Sequence, residues 1–286
     1  MPVRKPPTER QRRLGAELRK MRERAGLTIN AAAAMHHTDR TTVTNTEVGR
    51  IGVSADRVRI WAANYCCPER DYADALVAMA RERRIAEPGW WDEYRGMVVA
   101  RLLDLAEMEH HAVALRTVQI VYMPGLLQCE DYARAVIEEA MPPPTPEALE
   151  RMLSFRMRRS DVLDGPRPPK GTFIVHEAAL RMRFGTREVS KAQLAHLLKQ
   201  SERENVMIRV VPFAAGGFPQ AGSSTLYAHG PVPQLDTVQI ETAMGAEFLD
   251  AENHLANYRA VLDRTEQRAL SPARSQDFIR EVARQL

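Results

Sequence analysis

Cysteine is scarce in this chain, with three in 286 residues. Cys66, Cys67 and Cys129 are odd in number and unevenly spaced, which fits neither a disulfide scaffold nor a metal-ligand pattern. Long apolar runs are missing too. No stretch approaches the roughly 18 consecutive apolar residues of a membrane span, and MPVRKPPTERQRR lacks the apolar centre of a secretory signal. A cytoplasmic protein with reduced thiols and no membrane association is expected. The glycines form no G-x-x-x-x-G-K-[ST] loop and no G-x-G-x-x-G between a strand and a helix, so Gly216, Gly217 and Gly222 read as a surface loop. A nucleophile elbow, a zinc-protease helix and a kinase set are likewise missing. No catalytic residue, cofactor or metal is therefore expected, and the chain does not read as an enzyme.

Charge is abundant but unevenly placed. Residues 1–60 carry 13 Lys plus Arg against 6 Asp plus Glu, whereas the rest of the chain carries 27 against 31. The net charge of +3 thus hides a basic head on a mildly acidic body. Clustered positive charge is the footprint of a polyanionic partner. Arginine outnumbers lysine 35 to 5, which fits coding bias better than special chemistry.

The basic head contains TINAAAAMHHTDRTTVTNTEVGR, from Thr28 to Arg50. An alanine-rich helix, a polar turn at His37 to Asp39 and a second helix have the spacing of a helix-turn-helix that reads DNA. A preceding helix shows Leu14, Leu18, Met21 and Ala25 at helical spacing until Gly26 stops it. Thr28 is placed to cap the second helix, and Thr38 or Asp39 the third. Ser54 can cap a fourth helix with Val58, Trp61 and Tyr65 on one face. A fifth, from Pro68, shows Tyr72, Leu76, Met79 and Arg83.

This predicts a multidomain chain with a flexible arm at 1–9, an all-α five-helix helix-turn-helix domain at 10–84 and a mixed α/β domain at 85–286. Trp90 and Trp91 mark the join as an anchor between domains. A long helix is expected from Asp92 to Leu115. The β-prone runs are Val118–Tyr122, Phe173–Val175, Val206–Val211, Ser224–Ala228 and Thr237–Ile240. Helices are expected at Asp131–Glu139, Thr145–Leu163, Glu177–Phe184, Ser190–Arg203 and Asn253–Leu270, closed by Ser271–Leu286.

Other constellations carry less. Neighbours on a helix point about 100° apart, so His36-His37 and His110-His111 read as surface or half-buried histidines rather than ligands. Cys66-Cys67 reads as space-filling rather than a disulfide or a redox switch with Cys129. Glu177, Arg181 and Glu241 could line a polar pocket.

On these residues, 10–84 resemble a lambda-repressor-like helix-turn-helix of the xenobiotic-response-element family. Residues 85–286 resemble the C-terminal domain of unassigned function in an actinobacterial family of regulators, sometimes described as antitoxin-like. That second resemblance rests on ordered pieces, among them Trp90-Trp91, Glu109 with Ala112, Pro124-Gly125-Leu126-Leu127-Gln128, Arg156 to Arg159, Glu177 with Leu180-Arg181, and Val211-Pro212-Phe213. The first resemblance implies that Arg40, Thr41, Thr44 and Asn45 read bases, with Val43 turned inward. It implies that Thr28, Thr38 and Arg50 touch phosphate, and that Arg22 and Glu47 form a structural ion pair. Arg pairs bidentately with guanine and Asn with adenine, so the chemistry suits the role. Ile29 stands where a phosphate-contacting Gln is common, and Ala32, His36 and Thr46 replace larger aliphatics, which predicts a looser core.

The function expected is a sequence-specific regulator of double-stranded DNA. It would act as a homodimer, with a second domain that senses a small-molecule effector or docks a protein. The alternative is an antitoxin-like protein that holds a small partner protein and autoregulates its operon.

Overall fold

Thr8 opens the first helix, α1 (Glu9–Arg24), with a reciprocal cap. Its hydroxyl accepts from the Gln11 amide and Gln11 Oε1 accepts from the Thr8 amide, both at 3.3 Å. Leu14, Leu18 and Met21 fall on one stripe of α1 and are buried. In this computed structural model the described residues are 6–85, 89–242 and 245–286, with the backbone alone for 82–85. The expected arm at 1–9 therefore lies in part outside them. The chain divides into two units, Met1–Gly89 and Trp90–Leu286.

Among the described residues the first unit continues with α2 (Ile29–Met35), α3 (Arg40–Glu47), α4 (Ala55–Asn64) and α5 (Arg70–Ile85). Thr28, Asp39 and Ser54 cap α2, α3 and α4, so Asp39 rather than Thr38 starts the third helix. On α5, Tyr72, Leu76 and Met79 are buried as the spacing predicts, while the side chain of Arg83 lies outside the described residues. His36 supplies what an aliphatic residue would have filled: its ring stacks on buried Trp61, centroids 4.5 Å apart and planes 14° apart. Gly15 lets α1 sit against the end of α3. A Cβ there would come within 2.5 Å of the Thr46 carbonyl oxygen and 2.6 Å of that of Glu47.

The second unit is built on a six-stranded sheet of order β3-β2-β1-β4-β5-β6. Strands β1 (Ala114–Gln119), β2 (Lys170–His176) and β3 (Val206–Val211) pair in parallel, whereas β4 (Thr225–His229), β5 (Thr237–Thr242) and β6 (Gly245–Leu249) add antiparallel. Helices α6 (Ala100–His111), α7 (Glu130–Glu138), α8 (Pro146–Ser160), α9 (Glu177–Arg181), α10 (Arg187–Gln200), α11 (Glu252–Arg268) and α12 (Pro272–Gln285) surround it. Successive strand residues point to opposite faces. Phe173, Val175, Ile208 and Val210 pack with Leu194 and Leu197 of α10 and Ile279 and Val282 of α12, while Ile174, Val211 and Val238 meet Leu255 and Leu262 of α11. Both faces are covered, which explains the unbroken apolar run Phe173–Val175. The chain is thus an all-α helix-turn-helix domain followed by a mixed α/β domain that ends in helices.

Several expected elements differ. The helix expected over Asp92–Leu115 is a 3-10 turn (Trp90–Tyr94), then α6, then β1. Gly96 at φ 79° breaks the first part, and the β-prone run from Val113 to Val118 takes the last. The Thr145–Leu163 helix ends at Ser160 and closes with a 3-10 turn, Asp161–Leu163. The Glu177–Phe184 helix stops at Arg181. Strand β6 was not expected at all. Trp91 packs against Leu103, Ala106 and Phe155, so the pair expected to anchor the domains closes a satellite core within the second unit. No helix among the described residues is long and apolar enough to cross a membrane.

The close approach at Gly15 predicts that Gly15→Ala will prise α1 from α3. Overpacking of this kind costs about 1–3 kcal/mol. Native-state hydrogen exchange should show faster exchange of α1 and α3 amides with α10 and α12 unchanged.

Candidate nucleic-acid interface

The third helix has one face locked and one face free. Val43 is 0% exposed and Thr46 and Glu47 are buried, whereas Arg40, Thr41 and Thr44 are exposed along the opposite side. Asn45 is half-buried beside them. Thr44 donates its hydroxyl to the Arg40 carbonyl oxygen at 3.0 Å, which leaves its methyl as the group free to meet an apolar base edge. The four residues named as base readers thus share the first two turns of a single helix, three of them exposed.

Asp39 holds the start of that helix. One carboxylate oxygen accepts from the Thr42 amide at 2.8 Å and the other from the Thr42 hydroxyl at 2.6 Å. The Thr42 hydroxyl, and then its amide, holds the Asp39 carboxyl below the usual carboxylate range. Sequence reasoning named Asp39 only as one of two caps. Its D-x-x-T spacing carried more, because this anion sits at the helix start and takes one of the N–H groups that would otherwise be open to a phosphate. The residues expected to touch phosphate precede α2 and α3 or follow α3. Thr28 and Arg50 are exposed and Thr38 is half-buried, and Thr28 Oγ1 already accepts from the Ala31 amide at 3.2 Å.

Arg22 of α1 and Glu47 at the end of α3 meet in a buried fork. Arg22 Nε donates to Oε1 at 2.6 Å and Nη2 to Oε2 at 2.9 Å, while Nη1 donates to the Leu27 carbonyl oxygen at 2.8 Å. The hydrogen bond to Glu47 raises the Arg22 pKa against the opposing effect of burial. A second buried carboxylate, Glu17, takes Arg13 at 2.9 Å, Lys20 at 2.7 Å and the Tyr72 hydroxyl. Behind the turn, burial first and then the Arg57 charge depress His36, whose Nδ1 lies 3.3 Å from Asn64 Nδ2.

The second unit gathers no comparable constellation from the residues singled out in sequence. Glu177 binds Arg181 at 2.6 Å and accepts from the Phe213 amide at 2.7 Å, at the end of β2. Glu241 lies on β5, with β1 and β4 between, so at about 4.8 Å per strand spacing the three do not line one pocket. Cys66, Cys67 and Cys129 are free, and burial pushes the Cys67 and Cys129 thiols up, away from the reactive thiolate. His110 and His111 pack near Trp91, with centroids 5.0 and 6.2 Å from its ring. Among the described residues no group of three or more His, Cys, Asp and Glu is placed to hold a metal ion. A shallow recess of about 410 Å³ lies beside His229, Asp236 and Arg259, where Asp236 accepts from the Tyr227 hydroxyl at 2.7 Å and the Gly230 amide at 3.0 Å.

A helix held by its buried face, with arginine and threonine offered from its first turn, defines the first unit as a DNA-binding helix-turn-helix and the chain as a regulator of that class. The comparisons agree. Residues 13–76 match the family described as Helix-turn-helix domain, and residues 102–281 match the family described as Domain of unknown function (DUF5753). The second match spans more than half of the chain, which belongs to the DUF5753 family. Comparison with curated proteins and with solved structures found no match.

Two outcomes follow from the buried groups. Glu47→Gln strands the Arg22 charge and should cost about 3–5 kcal/mol, whereas the double change Arg22→Met, Glu47→Leu should recover much of it. Hydrogen exchange of the α3 amides measures both. His36 has a depressed folded pKa, so below about pH 6.5 the unfolded chain takes a proton that the folded one refuses. Stability of the first unit should therefore be full above that pH and fall as pH drops toward the folded value. His36→Phe should flatten this acid limb in the exchange of α2 and α4 amides.

Proposed function

We propose that this chain is a sequence-specific transcription regulator of the xenobiotic-response-element type that binds double-stranded DNA as a homodimer. Its second unit senses a small-molecule effector or docks a partner protein, and no chemistry is catalysed. The observation that carries the reading is the first two turns of α3, where Arg40, Thr41 and Thr44 are exposed opposite buried Val43 and Glu47. One such helix reads only a few base pairs, so genomic specificity asks for two half-sites about one helical turn apart and hence two copies of the chain.

A second reading is an antitoxin-like protein of the actinobacterial type that holds a small partner protein and autoregulates. One observation favours it. Tyr122 after β1, Met182 after α9 and Phe213 after β3 are 41%, 43% and 56% exposed, and all follow the carboxyl ends of the parallel strands. Co-purification of a short protein would support this reading, and a ligand-dependent thermal shift the sensor.

The test is fluorescence anisotropy of the purified protein with DNA from upstream of its own gene, at two salt concentrations, beside Arg40→Ala, Asn45→Ala. Each lost base contact should cost about 1–3 kcal/mol on that DNA and little on random DNA. An Arg50→Ala variant should weaken both equally and reduce the salt slope by about one. Binding no tighter than to random DNA would overturn sequence-specific regulation.

A further inference from the structure

The second unit holds an arginine with an unused edge. Arg156 of α8 is half-buried, and its Nη1 donates to Gln128 Oε1 at 2.7 Å. Gln128 is itself buried and immobilised, because its Nε2 donates to the Met123 carbonyl oxygen at 2.8 Å. That clamp orients the guanidinium through one nitrogen. Among the described residues the Nε and Nη2 edge makes no hydrogen bond and no carboxylate lies within ion-pair distance, and neither nitrogen is sealed from solvent.

The neighbours explain why nothing in the chain fills the edge. Arg159, one turn on, is buried and already saturated by Glu109, through Nε at 2.9 Å and Nη2 at 2.6 Å. Arg159 is thus paired, although its charge still acts on Arg156. Glu241 faces both arginines from β5 but is exposed and beyond ion-pair reach of Arg156. Burial, and then the charge of Arg159, push the Arg156 pKa down to about 10 against the weaker pull of Glu241 and Glu109, the cost of withdrawing a guanidinium that no carboxylate pairs.

We infer that Arg156, oriented by Gln128, is the anchor of a ligand site in the second unit that takes a single carboxylate. The free Nε and Nη2 edge is a planar fork of two parallel donors, the match for a carboxylate. Glu241 nearby disfavours a dianion such as phosphate. A free carboxylic acid and the C-terminus of a peptide offer this same group. The inference rests on the sensing reading of the second unit and names the chemistry sensed.

The experiment is thermal unfolding and isothermal titration of the full chain with sodium benzoate, the peptide acetyl-Ala-Leu as acid and as C-terminal amide, and inorganic phosphate. A saturable response to benzoate or to the peptide acid, and none to the amide, is expected, and which of the two acids binds distinguishes a small acid from a chain terminus. Phosphate should bind at least about tenfold more weakly. Arg156→Met should abolish the response; without ligand it removes an unpaired charge but leaves the buried Gln128 Oε1 without its donor, so its unfolding temperature should change little or fall modestly. Arg156→Lys, which keeps the charge and loses the fork, should fold and bind about tenfold more weakly.

No saturable response to any carboxylate, or a response that survives Arg156→Met and Arg156→Lys, would overturn the site. Equal binding of phosphate would overturn its carboxylate class. Operator anisotropy with and without the bound acid separates the two readings. Binding at Arg156 that leaves DNA affinity unchanged keeps the site and removes its sensory role. Failure of the site leaves DNA binding to its own titration.

Discussion

The ion pair between Arg22 and Glu47 is the constraint on which the DNA-facing surface depends. Both side chains are withdrawn from water, so each fixes the other in place at a high desolvation cost. The pair joins α1 to the last turn of α3, and Gly15 lets the two backbones approach closely enough for the fork to close. Val43 and Thr46 are then pressed inward. Exposure of Arg40, Thr41 and Thr44 is the other side of that packing. The exposed face is held because the opposite face cannot turn.

Electrostatics at the start of α3 divides the work between residues. A helix N-terminus attracts anions, and here the attraction is satisfied internally by Asp39. Arg40 next to it is thereby the cation presented outward at that turn. Arg50 beyond the far end of α3, and Arg40, Thr41 and Thr44 along it, are other polar side chains this surface exposes.

Much of the first unit was legible because helical spacing and caps are local signals. Leu14, Leu18 and Met21 fell on one stripe, and Thr28 and Ser54 stood where free amides need oxygens. The stacking partner of His36 was not legible, since nothing local reveals that its ring lies flat on Trp61 twenty-five positions away. The second unit was read less well for the same reason. Val113 joins the sheet by donating to the His229 carbonyl oxygen at 2.9 Å, a partner that only the fold supplies, so the stretch up to Leu115 reads as helix from charge spacing alone. Strand β6, with pattern GAEFL and a glycine at its start, owes its conformation to pairing with β5 rather than to propensity. Glu177 and Glu241 looked alike in sequence, yet Glu177 opens α9 after β2 and Glu241 lies on β5. The Arg156 to Arg159 stretch was noticed only as part of a resemblance, because its meaning lies in which arginine has a carboxylate and which has not.

The stack of His36 on Trp61 gives the molecule an internal optical label. Of the three tryptophans in the chain, Trp61 is in the first unit, while Trp90 and Trp91 belong to the satellite core of the second. Indole emission is sensitive to an imidazole held face to face and to its state of charge. The colour and yield of Trp61 therefore report the seating of the turn that leads into α3, and the paired indoles report the other unit. Each unit carries its own native indoles, so a variant that keeps only Trp61, or only Trp90 and Trp91, follows events in one unit without any added dye.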